Sequence, residues 1–254
     1  MNAWSGLAQS YRDSFASLCA GTERSILDDL EPGPLLDVGS GTGTLTSAAL
    51  RRGFHVTAVD ADPDMVAMTN DTAPGTCTLQ ALPALAFPEW SFPSVVANFV
   101  VNHLPDPRAG VRELARVTAP GGRLAMTIWP AGGAGWAPLV NEAFEQAGAD
   151  PLPSTRLPEP LDFPRTAEGL AGLATEASMS VTHARTVTWQ WQVKTNSLWA
   201  GISGGVATPG AWYQAQTPDV RLNIEQPFRR LASDAAPDGE LHFDCAAVYV
   251  LATR

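Results

Sequence analysis

Lysine is nearly missing from this chain: of its 16 basic residues only Lys194 is one, and the rest are arginine. Acidic residues outnumber basic ones by 26 to 16, and no stretch forms a basic stripe able to displace counterions from a phosphate backbone. A nucleic-acid substrate is not expected. Cysteine is scarce as well. Cys19, Cys77 and Cys245 are odd in number and far apart, the pattern of neither a disulfide framework nor a paired zinc site. The expectation is three buried, inert thiols and no metal. No apolar run approaches the roughly 20 residues that cross a bilayer, and the opening MNAWSGLAQSYRDSF lacks a basic segment followed by an apolar one. Together these point to a cytoplasmic protein without membrane contact. Arginine in place of lysine, beside plentiful Ala, Gly and Pro, hints at a high-GC bacterial genome.

What is present suits one large globular domain over residues 1–254. A chain of this length buries roughly 70–75% of the surface its unfolded form exposes, so it needs no covalent staple. Its first half alternates between two periods. PLLDV (34–38), HVTAVD (55–60), TCTLQ (76–80), SVVANFVV (94–101) and RLAMTIW (123–129) are short apolar runs of strand length, as parallel strands buried on both faces require. Between them lie helix signals. Asp62-Pro63 and Asp106-Pro107 place a capping carboxylate before a proline at the first helical position, and Gly53 closes a segment that starts near Thr44. Val111, Leu114, Ala115 and Val117 recur at helical spacing. The pattern predicts a doubly wound α/β sheet.

Ligands of such sheets sit at the carboxyl ends of the strands. LLDVGSGTGTLT (35–46) sets Gly39, Gly41 and Gly43 there, where bare backbone lets a ligand approach with a helix N-terminus following. A tight strand-to-helix turn without any ligand is the plainer alternative. A dinucleotide loop wants a small residue where this chain has Thr44, and a P-loop wants Gly-Lys-Ser/Thr, which is absent. Asp60 ends the second strand, where a carboxylate can accept from both hydroxyls of a ribose. These residues suggest a nucleoside without a pyrophosphate.

LLDVGSGTGTLT, AVDADPDMV, SVVANFVVNHLPD and RELARVTAPGGRLAMTIW, in that order, resemble successive motifs of the class I S-adenosylmethionine-dependent methyltransferases, small-molecule branch, over about residues 35–129. The resemblance implies a seven-stranded, mostly parallel Rossmann-like sheet whose last strand inserts beside the fifth. It implies S-adenosylmethionine as cofactor, with Asp37, Gly39, Ser40, Gly41 and Gly43 at its methionine end and Asp60 on the ribose. Ala61 and Met65 would pack on the adenine, Ala81 and Leu82 would meet its polar edge, and Asn98 and Phe99 would stand near the methionine and the acceptor. Two positions depart from the family. Gln80 replaces a common Asp, so adenine contacts could rest on backbone groups or on the Gln amide. Phe92-Pro93-Ser94 replaces Phe-Asp, so the fourth strand's first residue should be repositioned.

Methyl transfer asks for alignment more than for acid–base groups. His103, just past the fourth strand, reads either as a general base or as a residue that shapes the loop. Tyr11 lies on an N-terminal segment, 1–33, which in related enzymes closes as a helical lid; its hydroxyl could touch cofactor or acceptor, or the ring could be core or interface. Past residue 130 a loop (130–135), a helix (PLVNEAFEQAG), a Pro-rich surface connection (150–164), a strand (180–193), helices near 197–206 and 218–232 and a last strand (FDCAAVYVLAT) are expected, with 194–235 as a helical cap. Trp129, Trp136, Trp189, Trp191, Trp199 and Trp212 crowd this half, with Trp189 and Trp191 spaced to share one strand face. They suit cap packing, a homodimer interface, or an aromatic substrate pocket. The expected activity is methyl transfer to O, N or C of a small apolar or aromatic metabolite, in biosynthesis. The alternative is a protein of the same fold that binds the cofactor without transferring methyl, for structure or for a cyclisation.

Overall fold

The computed structural model describes residues 4–132, 135–153 and 156–254. The loops expected over 130–135 and 150–164 each include two residues outside that set, and so do the first three of the 1–33 segment. Seven strands form one sheet: β1 (Pro34–Val38), β2 (His55–Asp60), β3 (Cys77–Leu79), β4 (Phe92–Asn98), β5 (Thr118–Ile128), β6 (Ser180–Lys194) and β7 (Glu240–Thr253). Their order is β3-β2-β1-β4-β5-β7-β6. The first five pair in parallel, while β7 runs antiparallel to both β5 and β6. Central strands are closed on both faces: Leu35, Leu36, Val95, Val96, Leu124 and Ala125 are fully buried, as their unbroken apolar runs require.

Helices α4 (Thr44–Arg51), α5 (Pro63–Thr72) and α6 (Pro107–Val117) link the parallel strands. Their starts follow from local chemistry. Asp62, almost wholly buried, accepts from Asp64 N and Met65 N at 3.0 and 3.3 Å, and Asp106 accepts from Ala109 N at 2.9 Å, each ahead of a proline. Asp62→Ala should therefore lower the unfolding free energy by about 0.5–2 kcal/mol, read as a shifted urea midpoint at constant slope.

Two strand boundaries and two helices differ most from expectation. β4 ends at Asn98 rather than 101, because Phe99 takes a left-handed φ of 57° and Val101–His103 coil into a 3-10 turn. The apolar run continues because Phe99 and Val101 are buried anyway. β5 starts at Thr118, directly after α6, and pairs with Phe92; the register then shifts across Pro93 to Ser94–Arg123. α8 (Ala167–Glu176), capped by Thr166, and α10 (Ala207–Ala215) were not anticipated.

The N-terminal segment forms α1 (Ala8–Arg12), α2 (Ala16–Cys19), a 3-10 turn (Ala20–Thr22) and α3 (Glu23–Asp28). Phe15 and Leu18 share one apolar cluster with α7 (Ala137–Gln146), α9 (Thr195–Ser203) and α11 (Pro218–Ala235). Trp189 and Trp191 do share a face of β6, and it is pressed on this segment. The Trp191 Nε1 donates to Ser17 Oγ at 3.0 Å, and the Trp189 ring lies where a Cβ on Gly21 would stand. No described helix is long and apolar enough to cross a membrane.

Candidate active site

The strand order reverses between β1 and β4, and the crevice beyond their carboxyl ends is where such sheets hold ligands. The glycine loop fills one side of it. Gly39 N and Ser40 N both donate to Val59 O, at 2.8 and 3.1 Å, folding the chain sharply as it leaves β1. All three glycines have positive φ, a region costly for side chains. Each has a further reason to lack a Cβ or not. At Gly39 that atom would stand 2.4 Å from Val100 Cγ2, and at Gly43 3.1 Å from Thr69 Cα. At Gly41 it would face only Tyr11 Cε1, 3.7 Å away. Gly39 and Gly41 both line a cavity, and Gly43 does not.

That cavity lies between the loop and the N-terminal helices. Asp37, Gly39, Ser40, Gly41 and Thr42 line it from below, Asn98 from β4, and Tyr11, Ala16, Cys19 and Glu23 from above. Its polar wall is acidic. Asp37 is 1% exposed, accepts from Thr46 Oγ1 at 2.6 Å, and is pushed by burial up to about 6. Burial pushes Glu23 up to about 7, with Arg51 opposing and Asp37 reinforcing the rise, and the Glu23 Oε1 is buried without a hydrogen-bond partner. Asp60 stands one bond away, its oxygens accepting from Gly41 N at 2.8 Å and Asp62 N at 2.9 Å. Burial raises its pKa too. The Ala61 backbone also acts on Asp60, and since a carboxylate offers about four acceptor positions, at least one remains.

The remaining expected residues divide. The Asn98 side chain accepts from the Thr22 hydroxyl at 2.8 Å and donates to Cys19 O at 3.4 Å, tying β4 to the N-terminal helices. Tyr11 hydrogen-bonds Cys19, and burial raises both, the cysteine to about 12. Cys19 thus differs from the two buried cysteines in lining the cavity, though it stays a thiol. Ser40 Oγ meets Thr69 Oγ1 and Cys77 Sγ. Off the lining are Gly43, Asp60, Ala61, Met65, Ala81, Leu82, Phe99 and His103. Met65 is buried within α5, Ala61 is exposed beside Asp60, and Ala81 is exposed and Leu82 half-buried past β3. The Gln80 amide spans its own turn, bonding Thr78 and Ala86 N. Phe99 stacks on Trp129 with ring centroids 4.0 Å apart. His103 has an exposed surface, sets its ring edge-on to Trp4, and is held below the ordinary pKa by the protein around it.

Sequence reasoning missed Ala16, Cys19 and Glu23 as cavity residues. Their spacing of three and four residues along a helical run was the available signal.

Residues 36–126 match the family model described as a methyltransferase domain. Over this stretch the chain is similar to methyltransferases. An uncharacterised methyltransferase of Mycobacterium tuberculosis is 35% identical over 130 residues, which is 50% of this chain and 52% of that protein. The ubiquinone biosynthesis O-methyltransferase of Xanthomonas oryzae is 33% identical over 105 residues, 39% of this chain and 44% of that one. The chain thus spans about half the length of the curated relatives it matches. A candidate methyltransferase from Bacillus halodurans superposes with a TM-score of 0.55 at 14% identity, covering 92% of this chain and 97% of its own. That likeness is one of fold. The glycine loop, Asp60, β4 and β5 as far as Met126 fall inside the matched residues; Tyr11, Cys19 and Glu23 fall outside them.

Proposed function

We propose that the protein transfers the methyl group of S-adenosylmethionine to O, N or C of a small apolar or aromatic metabolite in the cytoplasm. The observation that carries this reading is the sign of the cavity. A pocket walled by Asp37 and Glu23, with Asp60 beside it, repels a pyrophosphate and suits a ligand bearing an ammonium and a sulfonium. The residues fit that cofactor in two further respects: Gly41, at positive φ, lines the cavity with bare backbone, and the Glu23 Oε1 has no hydrogen-bond partner among the described residues.

When bound, the cofactor supplies a methyl already activated by positive sulfur. The chain's own part is to bind, align and dry the site. Asp60 would offer its remaining acceptor capacity to the ribose, and Asp37 would set negative charge at the methionine end. Residues 1–33 act as a lid through Tyr11 and α2, with 194–235 as a cap packed on that lid. Alignment of this kind supplies roughly 7–11 kcal/mol of a barrier. Phe99, Trp129 and Trp189 pack together in the core and line no described cavity, so an aromatic acceptor is supported by the relative named for ubiquinone biosynthesis O-methylation.

Incubation with methyl-labelled cofactor and a panel of phenols, quinols and amines should yield labelled product with S-adenosylhomocysteine in equal amount. Product that forms without release of S-adenosylhomocysteine would favour the non-transferring alternative. His103 stands outside the cavity, so His103→Gln should keep kcat within about threefold of the native value. A loss of about 10²-fold, together with disappearance of a rate rise through a pKa below 6.5, would instead make it the general base, since a histidine abstracts protons only once neutral.

A further inference from the structure

We infer that Glu23 is a cofactor-binding residue, whose carboxylate receives the α-ammonium of the methionine moiety and whose proton is released to solvent as that ammonium arrives. This rests on S-adenosylmethionine being the cofactor and deepens that reading, because Glu23 lies outside the matched family segment.

Three observations converge. Glu23 opens α3 at the cavity wall opposite Gly41 and Asp37. Its Oε1 is shielded from water yet accepts no hydrogen bond, a costly state for a charged oxygen. The groups acting on it do not remove that cost. Arg51, exposed on α4, attracts it weakly, while Asp37 on β1 is a second acid; Tyr11 on α1 and Cys19 on α2 are neutral groups that bond each other. In the free protein the carboxyl is therefore held near half-protonation at neutral pH, about 7. A ligand cation reverses this balance. It favours the ionised form, so the O–H bond of Glu23 breaks, the proton passes to buffer, and a charge-assisted N–H to Oε1 bond takes its place. Lowering pH below about 7 stabilises the protonated free protein and must weaken binding; raising it above that value must not.

Calorimetry with two nucleosides tests this. S-adenosylhomocysteine carries the ammonium, and 5′-methylthioadenosine lacks the whole amino-acid part. Titrations at about pH 7 in buffers of different ionisation heat should show release of a substantial fraction of a proton for the first and none for the second. Glu23→Gln should weaken S-adenosylhomocysteine by about 10-fold or more, leave methylthioadenosine within about twofold, and abolish most of the release. Should the variant fold poorly, Asp37→Asn makes the comparison: release that persists in it belongs to Glu23, and release that vanishes overturns the assignment. Equal affinity of native and Glu23→Gln for S-adenosylhomocysteine, or proton release that does not distinguish the two nucleosides, overturns the assignment while leaving the cofactor reading intact. A native protein that binds neither nucleoside overturns both.

Discussion

Gly39→Ala is expected to lower the unfolding free energy by about 2–5 kcal/mol, and Gly53→Ala by only about 1–2. Both glycines hold positive φ, 72° and 85°, so both variants meet the cost of a left-handed residue, about 1–2 kcal/mol. Only Gly39 adds a collision. A Cβ there would lie 2.4 Å from Val100 Cγ2, whereas Gly53 has nothing within 4 Å. Overpacking of that sort adds about 1–3 kcal/mol. Val100 follows Phe99 at the end of β4, so relief of the collision must move the strand exit against which Trp129 stacks. Urea unfolding of the two variants side by side checks this, and equal losses would show that the loop tolerates a methyl group there.

Asp60→Ala is expected to weaken S-adenosylhomocysteine binding by about 1–3 kcal/mol, with native protein showing no measurable affinity for NAD. The carboxylate has two tasks. It anchors Gly41 N and Asp62 N, and under the proposed assignment its remaining acceptor capacity serves the ribose. Removal leaves two part-buried N–H groups unpaired and the ribose hydroxyls without an acceptor. Asp60→Asn retains one acceptor oxygen and should fall between native and Ala. Calorimetry with both nucleosides makes the comparison. Unchanged affinity in Asp60→Ala removes the ribose assignment, and tight NAD binding removes the cofactor assignment.

Much of the parallel half could be read residue by residue. The Asp62-Pro63 and Asp106-Pro107 caps start their helices where expected, since a cap depends on three or four adjacent residues and little else. β7 lies beside β5, as the ordered motifs implied. β4 was misread past Asn98 for a definite reason. Phe99 and Val101 are buried whether the backbone is extended or coiled, so apolar character could not mark the change. α10 escaped notice because ATPGAWYQA carries Pro and Gly early, both helix-disfavouring, yet Pro209 and Gly210 are buried, with Gly210 packed on the Gly205 backbone.

The chemistry divides along the same line. Sequence by itself determined the sheet, its loop of three glycines and the carboxylate that ends β2, because periodicity, capping and positive φ act over a few bonds. Only the tertiary structure decided what surrounds the loop. It brought Glu23 and Cys19 over Gly41, placed His103 outside the cavity, and turned two ordinary acids, Glu23 and Asp37, into groups raised to about 7 and about 6. A carboxylate's affinity for its proton depends on the water and charge within a few ångströms of it, and those neighbours come from α1, α2, β1 and α4, which meet only once the chain has folded.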